Sequence, residues 1–571
     1  MLGPQTPAAI ATFAFKYQQQ GETFRDVCNR VAGAISDDSG HFHDFRDVLL
    51  NQWGVLGGRG MAALGSTKRV TAFNCYVSGT IEDSLEGILE KHREGALTLR
   101  MGGGIGYDFS TIRPRGDKVR SLDSSASGPV SYISMYDAMG QTISSSGERR
   151  GAQMGILRVD HPDIEEFIHA KQNSNRLNCF NLSIAVTDEF MEAVRGDTPF
   201  ALRFEGRTYK TIDARALWET IMRSTWDWAE PGVIFIDRVN HWNNLGYCET
   251  IAATNPCAEQ PLPPYGACLL GSINLPKMLY QRKRPVNLES RWAADWSRIV
   301  HVVRMMVKAM DNVIEATIYP LLEQERQAKA TRRMGLGVMG MANFVEAQGF
   351  PYGSDGYIHM MEATLRCIKE TAYQTSAEMA KVKGSFPKLN VEEYLNAPFV
   401  QGLSHETRRM IRENGIRNSH LTSIAPTGTI AFCADNVSSG IEPVFSVSED
   451  RRVRQSDGVH TYRVHDFGST IGVEPRCASD VSAEDHVKVL CAAQRHVDSS
   501  IAKTCNVPSD MGWDDFKAIY EKAWEGGAKG CTTFQTQGKR EGIRAAVAAS
   551  ECEGDRCQLG SVATGMAASL A

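Results

Sequence analysis

Apolar residues along this chain fall into two patterns. In DSLEGILEKHREGALTLRMG (83–102) they recur at helical spacing behind Asp83 and Ser84, residue types that open helices, so the segment predicts a helix. In RIVHVVRMMVKAMDNVIEAT (298–317), Ile299, Val302, Val303, Met306, Val307, Met310, Val313 and Ile314 form one stripe, the core face of a long helix. Its methionines are packing residues and need no cofactor to explain them. GVIFIDRVN (232–240) is a short continuous apolar run and predicts a buried strand. Helical stretches and short apolar runs alternate from about residue 60 to about residue 545, the pattern of a mostly parallel α/β architecture. Residues 1–60 read as helical and polar. The last segment, from 546 to 571, is rich in small residues with no large apolar face, and it predicts a mobile tail.

Composition narrows the class. The chain has 571 residues, 42% hydrophobic and 23% charged, with a net charge of −5. Mild acidity argues against a nucleic-acid or membrane surface, and no apolar run approaches the roughly 18–20 residues of a membrane span. The first twenty residues lack the charged start and apolar block of a signal peptide, so a cytoplasmic address is expected. Fourteen cysteines are too sparse for a disulfide scaffold, and no CxxC pair or zinc-finger spacing occurs. Most are expected to be small buried hydrophobes. His41 and His43 with Asp44 read as a solvated polar loop, and no metal ligand is assigned.

Several segments suggest chemistry. Gly335, Gly337 and Gly340 form G-x-G-x-x-G, but two arginines and a methionine precede them; close backbone packing is the better reading than a dinucleotide site. Gly102, Gly103, Gly104 and Gly106 follow a predicted helix and allow either a ligand or a plain turn. Ala425-Pro426-Thr427-Gly428-Thr429 is a turn of small and hydroxyl residues opening a helix, suited to an anion. In TNPCAEQPLPPYGACLLGSINL (254–275), Asn255, Cys257 and Glu259 alternate, and in an extended loop they would face one pocket. Cys268 lies close behind, and Cys75, in TAFNCYVSG, is the best partner for a dithiol. One carboxylate, one lone cysteine and one dithiol make a reducing site. Cys552 and Cys557 form a second dithiol in the tail, where mobility suits thiol–disulfide exchange.

NPCAEQPLPPYGACLLGSINL, NCYVSGTIEDSLEGI, GGGIGYDFSTIRPRGDKVRS, GERRGAQMGILRVDHPDIEEFIHAKQ, APTGTIAF and GIEPVFS together resemble the catalytic subunit of a ribonucleotide reductase, most closely the coenzyme-B12-dependent class II. The resemblance runs from about residue 50 to 545 and implies a ten-stranded α/β barrel of two half-barrels in residues 61–545, with a central loop carrying the radical cysteine. By that resemblance Cys257 is the thiyl residue that takes the 3′ hydrogen of the ribose, Glu259 the base for the 3′-hydroxyl and Asn255 a hydrogen-bonding partner of the sugar. Cys75 and Cys268 protonate the leaving 2′-hydroxyl, give up two electrons and end as a disulfide, which Cys552 and Cys557 reset. Asn74, Gly104 and residues 425–429 fall where the family holds substrate sugar and phosphates.

The resemblance also implies regulation. Asp83, Ser84, Arg113 and Arg120 match positions that bind a deoxynucleoside triphosphate effector at a homodimer interface, and KQNSNRLNCFN (171–181) matches the loop relaying effector identity. The stretch before the barrel is too short for the family's extra ATP-binding domain, so overall on/off control is expected to be absent. Class I members relay a radical from a separate subunit through paired tyrosines; the matching stretch here, GCTTFQTQGKR, has Phe534 and no tyrosine pair, which favours adenosylcobalamin. Two departures stand out: Ala258 within PCAEQ, and GGRGMAALGS in place of a Ser/Thr-rich turn. Diphosphate substrates and thioredoxin or glutaredoxin as reductant are the expected partners. A class I large subunit needing a radical-generating partner is the alternative; a silent nucleotide-binding regulator and a non-radical thiol–disulfide oxidoreductase are weaker ones.

Overall fold

The structure is a computed structural model that describes residues 2–119, 123–143, 152–172, 176–282, 291–455, 458–508 and 511–535. Helices α1 (Pro7–Tyr17), α2 (Phe24–Ile35) and α3 (Ser39–Leu50) come first. The strands of the large sheet are β1 (Gly54–Leu56), β2 (Cys75–Val77), β3 (Gly104–Asp108), β4 (Gln153–Arg158), β5 (Phe180–Val186) and β6 (Gly232–Phe235). A small hairpin, β7 (Ala253–Thr254) and β8 (Pro261–Leu262), precedes β9 (Ala267–Asn274), β10 (Met334–Met339), β11 (Thr504–Val507) and β12 (Gly530–Gln535). Among the other helices are α4 (Leu85–Arg100), capped by the Ser84 hydroxyl as its sequence predicts, α5 (Pro129–Thr142) and α6 (Trp296–Ala316). Every residue of the predicted stripe on α6 is buried.

The sheet has ten strands in two parallel groups. β2, β3, β4, β5 and β6 run parallel in that order. β9 lies parallel to β10, and β11 parallel to β12. The groups meet antiparallel twice, β2 against β9 and β6 against β12, with β1 also antiparallel on β9. The continuous ladder leaves β10 and β11 as edges, but two parallel single bridges, Leu336 to Thr422 and Ile424 to Ile501, cross the space between them. This is the expected arrangement of two half-barrels.

Side chains alternate across each strand. Tyr76, Leu157, Ile184, Val233 and Leu269 join the main apolar core with the helices. Val77, Met154, Ile156, Ala185, Ile234 and Leu270 form a second cluster on the other face, with Ile251, Ala253 and Leu262 of the loop before β9. Strands buried on both faces read as unbroken apolar runs, which is why GVIF was recognisable. The rest of that run, Ile236–His241, turns into a helix.

The β7–β8 hairpin therefore sits against the inner face of the sheet. Glycine makes room for it: a Cβ on Gly106 would fall 1.7 Å from the Thr254 carbonyl oxygen, and one on Gly104 would meet Pro256 at 3.1 Å. Gly335 and Gly337 do the same for Gln260 and for the Ser423 carbonyl, so the G-x-G-x-x-G segment is a packing device within β10. The histidine reading needs correction: His41 and His43 lie in α3, whose N-terminus Asp38 caps, with His41 buried and His43 exposed. A helix turns positions i and i+2 to different faces.

Candidate active site

The hairpin tip carries Asn255, Pro256, Cys257, Ala258, Glu259 and Gln260. It is a tight turn, not the extended segment expected from the alternating residue types. The Ala258 amide donates to the Asn255 carbonyl (3.0 Å), and Ala258 takes a left-handed φ of 65°. The Asn255 side-chain oxygen accepts from the Gln260 amide at 2.9 Å and stiffens the turn. The Glu259 carbonyl accepts from the Ser423 hydroxyl (2.9 Å) and the Ser500 amide (3.0 Å). Sequence reasoning missed both serines; Ser423 is 164 residues away, and no local pattern marks it.

The turn still brings the predicted residues together. The Cys75 thiol donates to Glu259 Oε1 at 3.6 Å, and Asn255 Nδ2 donates to Cys75 Sγ at 3.2 Å. Cys268 stands directly opposite Cys75 in the β2–β9 pairing. Glu259, Asn255, Cys75 and Cys268 are all buried, whereas Cys257 is half-buried. Burial pushes the Glu259 carboxyl up to about 6 against the pull of hydrogen bonds from Asn255 and Cys75, and its Oε2 has no partner. Burial also pushes both dithiol members well above the ordinary thiol range; the Glu259 carboxylate adds to this at Cys75, while Arg333 opposes it at Cys268.

Cys257 faces a cleft lined by Met154, Asn181, Ser183, Gly232, Thr532 and Phe534, among others. Phe534 thus lines the same cleft as the lone cysteine. Pro426 lines an adjoining cleft that shares Ala502 and Thr504 with the first. Thr427 is buried with φ 55°, and its hydroxyl accepts from the Gly440 amide (3.0 Å) instead of capping the helix Gly428–Cys433. Gly428 and Thr429 are more accessible. The Asn74 side chain is buried beside Gly57 without a hydrogen-bond partner.

Asp83 and Arg113 form an ion pair (2.7 Å), and the Asp83 carboxylate also accepts the Arg113 amide (3.0 Å). Ser84 is occupied as the cap of α4. Arg120, Cys552 and Cys557 lie outside the described residues, as do 173–175 of the relay segment. Among the described residues, no group of three or more His, Cys, Asp or Glu is placed to hold a metal ion, and no helix is long and apolar enough to cross a membrane.

The cleft beside Cys257 sets the hydroxyls of Ser183 and Thr532 and the apolar side chains of Met154 and Phe534 next to a half-buried thiol, a mixed lining that suits a cofactor carrying both apolar and amide groups.

Comparison with known proteins identifies the family. Similar proteins include a vitamin B12-dependent ribonucleoside-diphosphate reductase of Mycobacterium tuberculosis, 35% identical over 499 residues, which span 82% of this chain and 68% of the relative. A protein of the same name from Thermoplasma acidophilum is 33% identical over 81% of this chain and 61% of its own length. The ribonucleoside-diphosphate reductase subunit alpha of Helicobacter pylori is 25% identical over 80% of this chain and 69% of its own. Residues 73–467 and 474–534 match the family described as ribonucleotide reductase, barrel domain, and the chain belongs to that family.

Proposed function

We propose that this chain reduces ribonucleotides to 2′-deoxyribonucleotides for DNA synthesis and is a vitamin B12-dependent reductase acting on diphosphates. The observation that carries the reading is the convergence of Cys257, Glu259, Asn255 and the Cys75–Cys268 pair inside the sheet. Cys257, as a thiyl radical, takes the 3′ hydrogen of the ribose. Glu259, its Oε2 unpartnered in a dry site, takes the 3′-hydroxyl proton. Cys75 and Cys268 are held protonated by burial, so they can deliver hydrogen as the 2′-hydroxyl departs as water. The two thiols lose two electrons and become a disulfide; the tail pair Cys552/Cys557 reduces it by exchange and is itself reduced by thioredoxin or glutaredoxin. Adenosylcobalamin, when bound, supplies the radical from its cobalt–carbon bond. Met154, Ser183, Gly232, Thr532 and Phe534 are the residues that would hold it beside Cys257. Asn74, Gly104 and residues 425–429 would hold substrate.

The class I alternative requires an outside radical to cross this cleft, and Phe534 there has no phenolic proton to exchange. Regulation by deoxynucleoside triphosphates would use Asp83, Ser84, Arg113 and Arg120. Leu85, Leu89 and Leu97 of α4 are exposed, which supports a homodimer through this helix. The chain would divide into an N-terminal helical segment (1–60), the catalytic barrel (61–545) and the redox tail (546–571). The same reading places the chain in the cytoplasm, where thiols are kept reduced.

The test is deoxycytidine diphosphate formation from cytidine diphosphate by the purified chain, with dithiothreitol and an effector triphosphate, with and without adenosylcobalamin. Product only with the cofactor is expected. No product in either tube would overturn the self-sufficient reading and point to a missing radical subunit.

A further inference from the structure

Cys257 is held in place from both sides of the turn. Downstream, Ser423 and Ser500 grip the Glu259 carbonyl. Upstream, Asn181 Nδ2 donates to the Pro256 carbonyl oxygen at 2.8 Å. That carbonyl belongs to the peptide bond joining Pro256 to Cys257, so the amide of Asn181 acts on the plane from which the thiol projects. Asn181 also lines the cleft that Cys257 faces.

Asn181 is itself tied to a helix. Two residues earlier, the Cys179 amide donates to Asp137 Oδ1 at 2.8 Å, and the Cys179 carbonyl accepts from the Gln153 amide at 2.9 Å. Asp137 is a buried residue of α5, and its second oxygen accepts from Gln141 Nε2 at 2.6 Å. The Gln153 side chain returns to the same helix, donating to the Tyr136 carbonyl at 3.1 Å. Helix α5 is thus hydrogen-bonded to residue 179, two positions before the amide that holds the Cys257 peptide.

We infer that Asn181 is a positioning residue for Cys257, coupling the placement of the thiol to helix α5 through Asp137 and Cys179. The inference rests on the reading of Cys257 as the residue that takes the 3′ hydrogen. Hydrogen transfer needs the reacting atoms near contact, and a misplacement of about 1 Å costs up to about 100-fold in rate. Asn181 acts on geometry and not on nucleotide binding, so its loss lowers kcat and leaves KM unchanged.

The test compares the full-length protein with Asn181→Asp, which keeps the shape but turns an oxygen toward the Pro256 carbonyl, Asn181→Ala and Asp137→Ala. Two quantities are read: kcat and KM for cytidine diphosphate with cofactor, and the rate of Cys257 alkylation by iodoacetamide without cofactor, followed by peptide mass mapping. The expected result is a kcat lowered by about 10- to 100-fold at constant KM in both Asn181 variants. Cys257 alkylation changes in both, and shifts less in Asp137→Ala. Asn181→Ala, the milder change, decides the matter where Asn181→Asp does not fold. Unchanged alkylation and kcat in Asn181→Ala, or a raised KM at constant kcat, overturns the inference. Failure of the reductase reading shows separately, as a wild-type protein that forms no deoxynucleotide, and the alkylation arm still decides the positioning role.

Discussion

Cys75 and Cys268 are cross-strand partners at the seam where the two parallel halves of the sheet meet antiparallel. Residues directly opposite in an antiparallel pair have Cα atoms about 4.5–5.5 Å apart, inside the range of about 4.4–6.8 Å that a disulfide spans. The fold thus places two buried thiols where oxidation needs little backbone movement. A single turnover without external reductant is expected to leave this pair, and no other described pair, joined. Acid quench, alkylation of remaining thiols and peptide mapping will show it. Cys75→Ala and Cys268→Ala should each retain nucleotide binding and lose deoxynucleotide formation; a disulfide involving Cys257 would contradict the assignment.

The Glu259 carboxyl, raised by burial to about 6, has consequences for both rate and stability. As the base it must be ionised, so kcat is expected to rise with pH through about 6 and then level off, and Glu259→Gln to be inactive throughout. For stability the sign is the reverse. The folded-state value lies above the ordinary 4.5, so the fold favours the neutral form. That contribution is complete below pH 4.5 and is lost as pH rises through 6. Glu259→Gln is therefore expected to be more stable than wild type at pH 7.5, by on the order of 1–2 kcal/mol, with the difference shrinking toward pH 5. Urea unfolding at the two pH values measures it.

Residue types and local order made much of this site legible. Asn255, Cys257, Glu259 and Cys268 share one segment of the sequence, and their chemistry alone suggests a reducing site. Cys75 stood out by its place before a predicted helix and near the glycine-rich turn, but its register opposite Cys268 was not legible, because strand pairing across 193 positions is invisible to periodicity. The tip conformation was not legible either: three side chains at alternate positions suggest extended backbone, but the Asn255 side chain and left-handed Ala258 fold the segment back on itself. Ser423, Ser500 and Asn181 act on backbone carbonyls of the tip, and residues that hold a distant peptide carry no motif. The glycines were legible as close-packing positions, yet only the fold shows what they approach.

Gly106 carries the most severe of those approaches. A methyl group there would overlap the Thr254 carbonyl oxygen, which is backbone and held in the β7–β8 pairing. Gly106→Ala is expected to cost about 1–3 kcal/mol in stability, as overpacking does. Activity should fall further than stability, because the hairpin that must move carries Asn255, Cys257 and Glu259. Equilibrium unfolding with parallel turnover assays on folded protein checks this. A variant as stable and as active as wild type would mean that the hairpin is not seated against β3.

The tail dithiol gives a prediction that separates two routes of electron supply. Cys75 and Cys268 are buried, out of direct reach of a protein reductant, while a small dithiol is far less restricted. If Cys552 and Cys557 carry electrons inward by exchange, replacing both by serine removes the only stage at which thioredoxin can act. The double variant Cys552→Ser/Cys557→Ser is expected to complete about one turnover per site with thioredoxin, thioredoxin reductase and NADPH, yet to turn over repeatedly with dithiothreitol. Each single variant should behave like the double, because a lone thiol attacks the Cys75–Cys268 disulfide but cannot resolve the mixed disulfide it forms. Continued thioredoxin-driven turnover in the double variant would mean that the internal pair is reduced directly, and that the interior of the sheet opens during the cycle.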